Sequence, residues 1–208
     1  MCERGYSMKI GIVGGTFDPI HNGHLMLGAY AYDNFQLDKI WFMPNGNPPH
    51  KSKEINVDFR LDMVKLAIEG KEEFCLSTFE IEEEKHSYSY ETLEKLHQLY
   101  PQDTFYFIIG ADSLFTIEFW KEPARIMHSC IILAACRDDK DMDKMYKQIS
   151  YLTEKYSAKI ELLKMPLIDI SSSDIRQKRE NGENIDNLVP QKVSAYIESH
   201  GLYEVKNK

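Results

Sequence analysis

The run Gly14-Gly15-Thr16-Phe17-Asp18-Pro19-Ile20-His21-Asn22-Gly23-His24 closes a short apolar segment, Lys9–Gly14, and opens one of helical periodicity that reaches about Phe35. Leu25, Gly28, Ala29, Tyr32 and Phe35 recur there at helical spacing, with Asn22 read as the N-cap. Glycines at a strand end let the backbone approach an anion closely. The helix start that follows supplies N–H groups and the positive end of the dipole, so the unit favours a phosphate. His21 and His24, three apart in the first turn, lie on nearly the same side of it and can donate to phosphate oxygens. Two isolated histidines would read as surface residues, and no other His or Cys stands at ligand spacing to make them a metal pair. The whole run, with Thr16, Asp18-Pro19 and Gly23 in place, decides for phosphate. It is neither G-x-x-x-x-G-K-[ST] nor G-x-G-x-x-G.

The rest of the chain repeats the alternation. Strands are expected at Lys39–Met43, Phe74–Phe79, Thr104–Ile109, Cys130–Ala135 and Lys159–Leu163. Between them, Asp58 is read as the cap of a helix with Phe59, Met63, Leu66 and Ala67 inward; further helices are expected at Ser89–Tyr100 and Met142–Tyr156. Ser172 or Ser173 opens a short helix, and Pro190 at the first position and Gly201 just past the end frame the last one. Near-continuous apolar strands separated by helices mean a parallel sheet covered on both faces, the α/β class. Pro44–Lys53 is a loop, and no repeat or long linker divides the 208 residues. They are expected to form one domain, with residues 1–7 as a lead before Met8-Lys9 and about 170–208 as a C-terminal helical segment.

A net charge of -8 argues against a nucleic-acid partner while leaving room for a locally positive pocket. No apolar stretch is long enough for a membrane span or a signal peptide. Cys2, Cys75, Cys130 and Cys136 show no C-x-x-C spacing, and the last two sit in an apolar run as small hydrophobes. A reduced cytoplasm is the expected compartment.

A second constellation, Ile170-Ser171-Ser172-Ser173-Asp174-Ile175-Arg176, sets serines before a helix and an arginine one turn on. Alone it is an ordinary capped helix. His21-Asn22-Gly23-His24 resembles the nucleotidylyltransferase superfamily, whose signature is (T/S)-x-G-H or H-x-G-H; paired with it, the second constellation resembles the I-S-S-T-x-I-R signature of nicotinate or nicotinamide mononucleotide adenylyltransferases, and further segments resemble the bacterial nicotinate-mononucleotide branch. The resemblance runs from about Lys9 to Glu204 and implies a Rossmann-like, doubly wound parallel sheet. It implies that Gly14, Gly15, Thr16, Phe17, His21, His24, Ser171, Ser172 and Arg176 hold ATP, with His21, His24 and Arg176 catalytic. Gly110-Ala111-Asp112-Ser113 resembles the ribose-binding turn, in which Gly110 and Asp112 contribute. Pro48-Pro49-His50-Lys51 resembles the loop that takes the substrate phosphate, through Lys51; a solvated loop lysine is the plain alternative. Ser89, Tyr90, Thr92 and Trp120 fall where the family binds the pyridine ring, although a tryptophan in a helical segment is usually core. Here the chain departs from the family, with His86-Ser87-Tyr88 where a small pair such as Gly-Pro is common.

The implied reaction joins the AMP part of ATP to nicotinate mononucleotide and releases pyrophosphate, by in-line attack with no covalent intermediate. Mg²⁺ would ride on the ATP phosphates, with no metal ligands on the protein. Nicotinamide mononucleotide is the runner-up acceptor; phosphopantetheine or cytidylyl transfer fits the second motif and the length less well. A non-catalytic nucleotide-binding domain would lack His21, His24 or Arg176, and a dinucleotide-dependent oxidoreductase would want G-x-G-x-x-G. The oligomeric state, a homo-oligomer included, stays open. One physical test is independent of family: ligands sit at the carboxyl ends of strands where strand order reverses, and if the first strand and Thr104–Ile109 are neighbours there, both motif loops flank one crevice.

Overall fold

The computed structural model describes residues 7–46, 55–81, 88–136, 142–166 and 168–204. Its six strands are β1 (Lys9–Gly15), β2 (Lys39–Pro44), β3 (Phe74–Leu76), β4 (Thr104–Gly110), β5 (Ile131–Cys136) and β6 (Lys159–Lys164). They form one sheet in the order β3-β2-β1-β4-β5-β6, every pair parallel. The order reverses between β1 and β4, which are hydrogen-bonded neighbours, the arrangement in which the two motif loops flank one crevice.

Register sorts the side chains. Val13 stands opposite Phe42 on β2 and Ile108 on β4, and all three enter one buried cluster. Their chain neighbours Ile12 and Phe107, also paired, enter the other. Residues one apart on a strand point to opposite faces, so an apolar run feeds two cores at once. Each fully buried Ile, Phe or Leu contributes about 1.5–3 kcal/mol relative to exposure.

The helices are α1 (Asn22–Phe35), α2 (Val57–Ile68), α3 (Ser89–Leu99), α4 (Ala111–Thr116), α5 (Pro123–Ser129), α6 (Met142–Tyr156), α7 (Ser172–Glu180) and α8 (Gln191–Ser199). Residues of α1, α2, α7 and α8 pack on the Val13 face, and those of α3 to α6 on the Ile12 face. Gly28 lets α1 lie close to β2: a Cβ there would be 3.0 Å from Phe42 and 3.2 Å from Ile40.

Several boundaries differ from the sequence reading. His21, not Asn22, is the α1 N-cap, and the Asn22 side chain instead donates to the Asn187 carbonyl. Asn56, not Asp58, caps α2, because its side chain accepts the Asp58 N–H while Asp58 sits in the first turn. The buried stripe of α2 is Arg60, Met63, Val64, Ala67 and Ile68; Phe59 and Leu66 are only partly buried. Pro190 is the N-cap of α8 rather than its first residue. β3 ends at Leu76, short of the expected Phe79, its pairing with β2 covering Phe74–Leu76. α4, α5 and a single 3-10 turn, Ile117–Phe119, had no periodic signal. They are too short to show a 3.6-residue repeat and are held through buried Leu114, Ile117, Ile126 and Met127.

Cys75, Cys130 and Cys136 stand outside any disulfide, and burial pushes the Cys130 thiol up to about 12, as fits a small apolar core residue. Among the described residues no helix is long and apolar enough to cross a membrane.

Candidate active site at the strand-order reversal

A pocket opens at the carboxyl ends of β1 and β4. Gly14 and Gly15 form one wall and Gly110 the other. His24 enters from α1, Ser89 and Thr92 from α3, and Trp120 from the loop before α5. These seven were all singled out from sequence. Ser113, the last residue of the Gly110–Ser113 turn, also lines the pocket, as do Asn45 and Glu80, which carried no motif.

The two histidines act as a stacked pair, with ring centroids 3.6 Å apart and planes inclined by 23°. His21 is buried, while His24 is half-buried and faces the pocket. His24 Nδ1 accepts the His21 backbone N–H at 3.3 Å. With Nδ1 accepting, the ring N–H of His24 is on Nε2. The buried Phe17 ring meets His24 edge-on at 5.0 Å and 85°, so Phe17 is a wall for the histidine. Phe17 itself has φ +53, the left-handed region that costs a non-glycine residue about 1–2 kcal/mol. The helix end is less open than the sequence suggests: the Asn22 N–H donates to the Leu188 carbonyl and the His24 N–H to the His21 carbonyl. The dipole of α1 still favours an anion there.

Strain at Phe17 is held by bonds from distant segments. Arg176 Nη1 donates to the Asp18 carbonyl at 2.6 Å, and its Nη2 to Ser173 Oγ at 3.2 Å. Ser172 Oγ donates to the Pro19 carbonyl at 2.9 Å. Ser171 caps α7: its oxygen accepts the Asp174 N–H at 3.1 Å, and its hydroxyl donates to the Asp174 carboxylate at 2.7 Å. The second motif thus lies against the first, 150-odd residues away in sequence, with Arg176 half-buried beside the Asp18 turn. Two further residues support that turn without having been visible in sequence. Tyr203 donates to Asp18 Oδ1, and the buried Arg60 donates to the Thr16 carbonyl. A charge on the inward stripe of α2, one turn before Met63 and Val64, was the available signal for Arg60.

The Glu80 carboxyl takes the Thr92 hydroxyl at 2.9 Å. Burial raises it to about 6, against the lowering effect of that hydrogen bond. Tyr90 does not face the pocket: its ring is buried beneath Arg125, 4.3 Å from the guanidinium, and its hydroxyl donates to Glu91. Trp120 both lines the pocket and packs edge-on against Phe107. Asp112 is exposed in the first turn of α4, next to the Gly110 wall. Lys51 lies outside the described residues.

A family model described as cytidylyltransferase-like matches residues 12–178. A probable nicotinate-nucleotide adenylyltransferase of Lachnoclostridium phytofermentans is 43% identical over 94% of this chain and 98% of its own length. One of Clostridium tetani is 43% identical over the same shares. Among solved structures, the Plasmodium falciparum nicotinic acid mononucleotide adenylyltransferase complexed with NaAD aligns with a TM-score of 0.79 at 22% identity, over 94% of this chain and 97% of that one. At that identity the likeness speaks for the fold.

Proposed function

The chain belongs to the cytidylyltransferase-like family and, within it, to the nicotinate-nucleotide adenylyltransferases; from that premise we propose how its own residues carry the reaction. It is a nucleotidyltransferase of NAD biosynthesis: AMP passes from ATP to nicotinate mononucleotide, giving nicotinate adenine dinucleotide and pyrophosphate.

An oxygen of the mononucleotide 5′-phosphate attacks the α-phosphorus as the bond to the β-phosphate bridging oxygen breaks, so the protein need supply no nucleophile. Its work is positioning and charge stabilisation. The observation that carries the assignment of roles is that Gly14, Gly15, His24 and Gly110 line one pocket at the strand-order reversal. His24 offers Nε2–H to the triphosphate where negative charge grows, and His21 backs it by stacking. Thr16, Phe17, Ser171, Ser172 and Arg176 complete the triphosphate side, the guanidinium having N–H groups beyond those on Asp18 and Ser173. Gly110 and Asp112 take the adenosine ribose. The pyridine ring lies by Ser89, Thr92 and Trp120, with Tyr90 contributing backbone only, since its ring is buried elsewhere.

Among the described residues no group of three or more His, Cys, Asp or Glu could hold a metal ion. Mg²⁺ would come in on ATP, where it would screen phosphate charge, and Thr16, His24 and Arg176 would hold the phosphate oxygens around it. We take the chain as one domain and its compartment as the cytoplasm.

Pyrophosphate release with ATP and Mg²⁺, compared between nicotinate and nicotinamide mononucleotides, tests the reading. Fast release with the acid and little with the amide is expected. Equal release would overturn the preference for the acid, and none with either would overturn the chemistry.

A further inference from the structure

Arg60 lies on the buried stripe of α2, 2% exposed, and its fork spans two turns that follow neighbouring strands. Nη1 donates to the Thr16 carbonyl at 2.8 Å and to the Asn45 carbonyl at 3.0 Å, and Nη2 donates to the Gly46 carbonyl at 3.2 Å. Nε has no hydrogen-bond partner, and no carboxylate among the described residues forms an ion pair with Arg60. A buried charge without a counterion is costly, and an apolar residue of similar volume would fill the space at less cost. What the guanidinium supplies is a rigid planar fork between two loops.

Both loops reach the pocket. On the first, Phe17 holds φ +53 between two carbonyls, each bound by an arginine: Thr16 by Arg60 and Asp18 by Arg176. The C=O and N–H of one planar trans peptide point opposite ways, so the Arg60 bond fixes the direction of the Phe17 N–H. It also seats the Phe17 ring, against which His24 stands. On the second, the Asn45 N–H donates to the Gly15 carbonyl. Gly46 approaches the Glu80 backbone so closely that a Cβ would be 2.4 Å from its carbonyl oxygen. Asn45 and Glu80 both line the pocket.

We propose that Arg60 is a positioning residue for adenylyl transfer, which keeps the triphosphate turn at Thr16–Phe17 in register with the Asn45–Gly46 turn so that the two substrates meet in line. It touches neither substrate. The inference rests on the reaction assigned above.

The test is the steady-state kinetics of Arg60→Lys and Gly46→Ala with ATP and nicotinate mononucleotide, beside their thermal melts. Lysine keeps the charge but replaces the fork by one ammonium. The alanine leaves the fork and pushes the Gly46 turn off Glu80. For folded protein assayed well below its Tm, we expect kcat to fall roughly tenfold to a hundredfold while both KM values stay within about threefold, because misalignment by an ångström costs turnover more than binding. Wild-type kcat in folded Arg60→Lys would overturn the proposal, as would a raised KM with kcat unchanged. If the lysine variant does not fold, Gly46→Ala decides by the same split; if neither folds, Arg60 serves folding alone and the proposal falls. An inactive wild-type enzyme would instead sink the functional reading, leaving the two failures distinct.

Discussion

The Tyr203 hydroxyl donates to Asp18 Oδ1 at 2.6 Å, joining residues 185 positions apart. Asp18 is only 5% exposed, and its neighbour Phe17 carries the left-handed backbone beside the pocket. The end of the chain therefore holds the turn on which the histidines depend, and the same segment accepts the Asn22 N–H on Leu188.

Tyr203→Phe leaves a buried carboxylate short of a donor and should cost about 1–3 kcal/mol of stability in urea unfolding at neutral pH. Burial, then the Asp18 charge and hydrogen bond, raise the Tyr203 phenol above its ordinary 10.0. A group raised on folding stabilises fully below its unfolded value and loses that contribution as pH climbs above it. The wild type should thus lose stability on the alkaline side more steeply than the phenylalanine variant; identical slopes would count against the bond.

His24→Ala should lower kcat roughly a hundredfold or more, as removal of a donor to developing charge does elsewhere. His21→Ala, which removes a stacking partner, should cost less. Single-turnover rates for the two variants check the order, and an unchanged rate for His24→Ala would remove it from the mechanism.

Glu80 is raised from 4.5 to about 6 chiefly by burial, so folding favours its protonated form. Its stabilising contribution is complete below 4.5 and disappears as pH rises through about 6. Glu80→Gln stays neutral throughout, so its melting temperature relative to wild type should rise across that window. Parallel melting curves for the two proteins would reject the assignment.

Arg176→Lys keeps a charge but not the fork that reaches both the Asp18 carbonyl and Ser173. Charge-assisted hydrogen bonds contribute about 1.5–3 kcal/mol, so kcat/KM for ATP should fall roughly tenfold to a hundredfold. A variant within twofold, by about the scatter of such assays, would take Arg176 out of the triphosphate site.

Much of this was legible because local chemistry repeats along the chain. Apolar runs such as Thr104–Ile109 announced strands buried on both faces, and Met142–Tyr156 was readable as a helix to the residue. The turn Gly14–His24 and the serines before Arg176 pointed to phosphate because glycine, helix start and donor side chain are encoded within a dozen positions. The adjacency of the first and fourth strands was a hypothesis suggested by where the two glycine turns lay, and the sheet order bears it out.

Other features had no local signature. α4 and α5 are too short to show a period, and the caps of α1 and α2 shifted by one or two residues because neighbouring polar side chains compete for the same N–H groups. Tyr90 read as a ring-pocket aromatic, yet packing under Arg125 turned its side chain into the core.

By itself, then, the sequence determined the alternation of elements, the class of sheet and the anion chemistry of two short motifs, because each depends on residues within a turn or two of one another. Only the tertiary structure decided that Arg60 and Arg176 reach the carbonyls of one strained turn and Tyr203 its Asp18 carboxylate. A carbonyl carries no sequence code for its partner; which distant side chain reaches it is settled by how helices and strands pack.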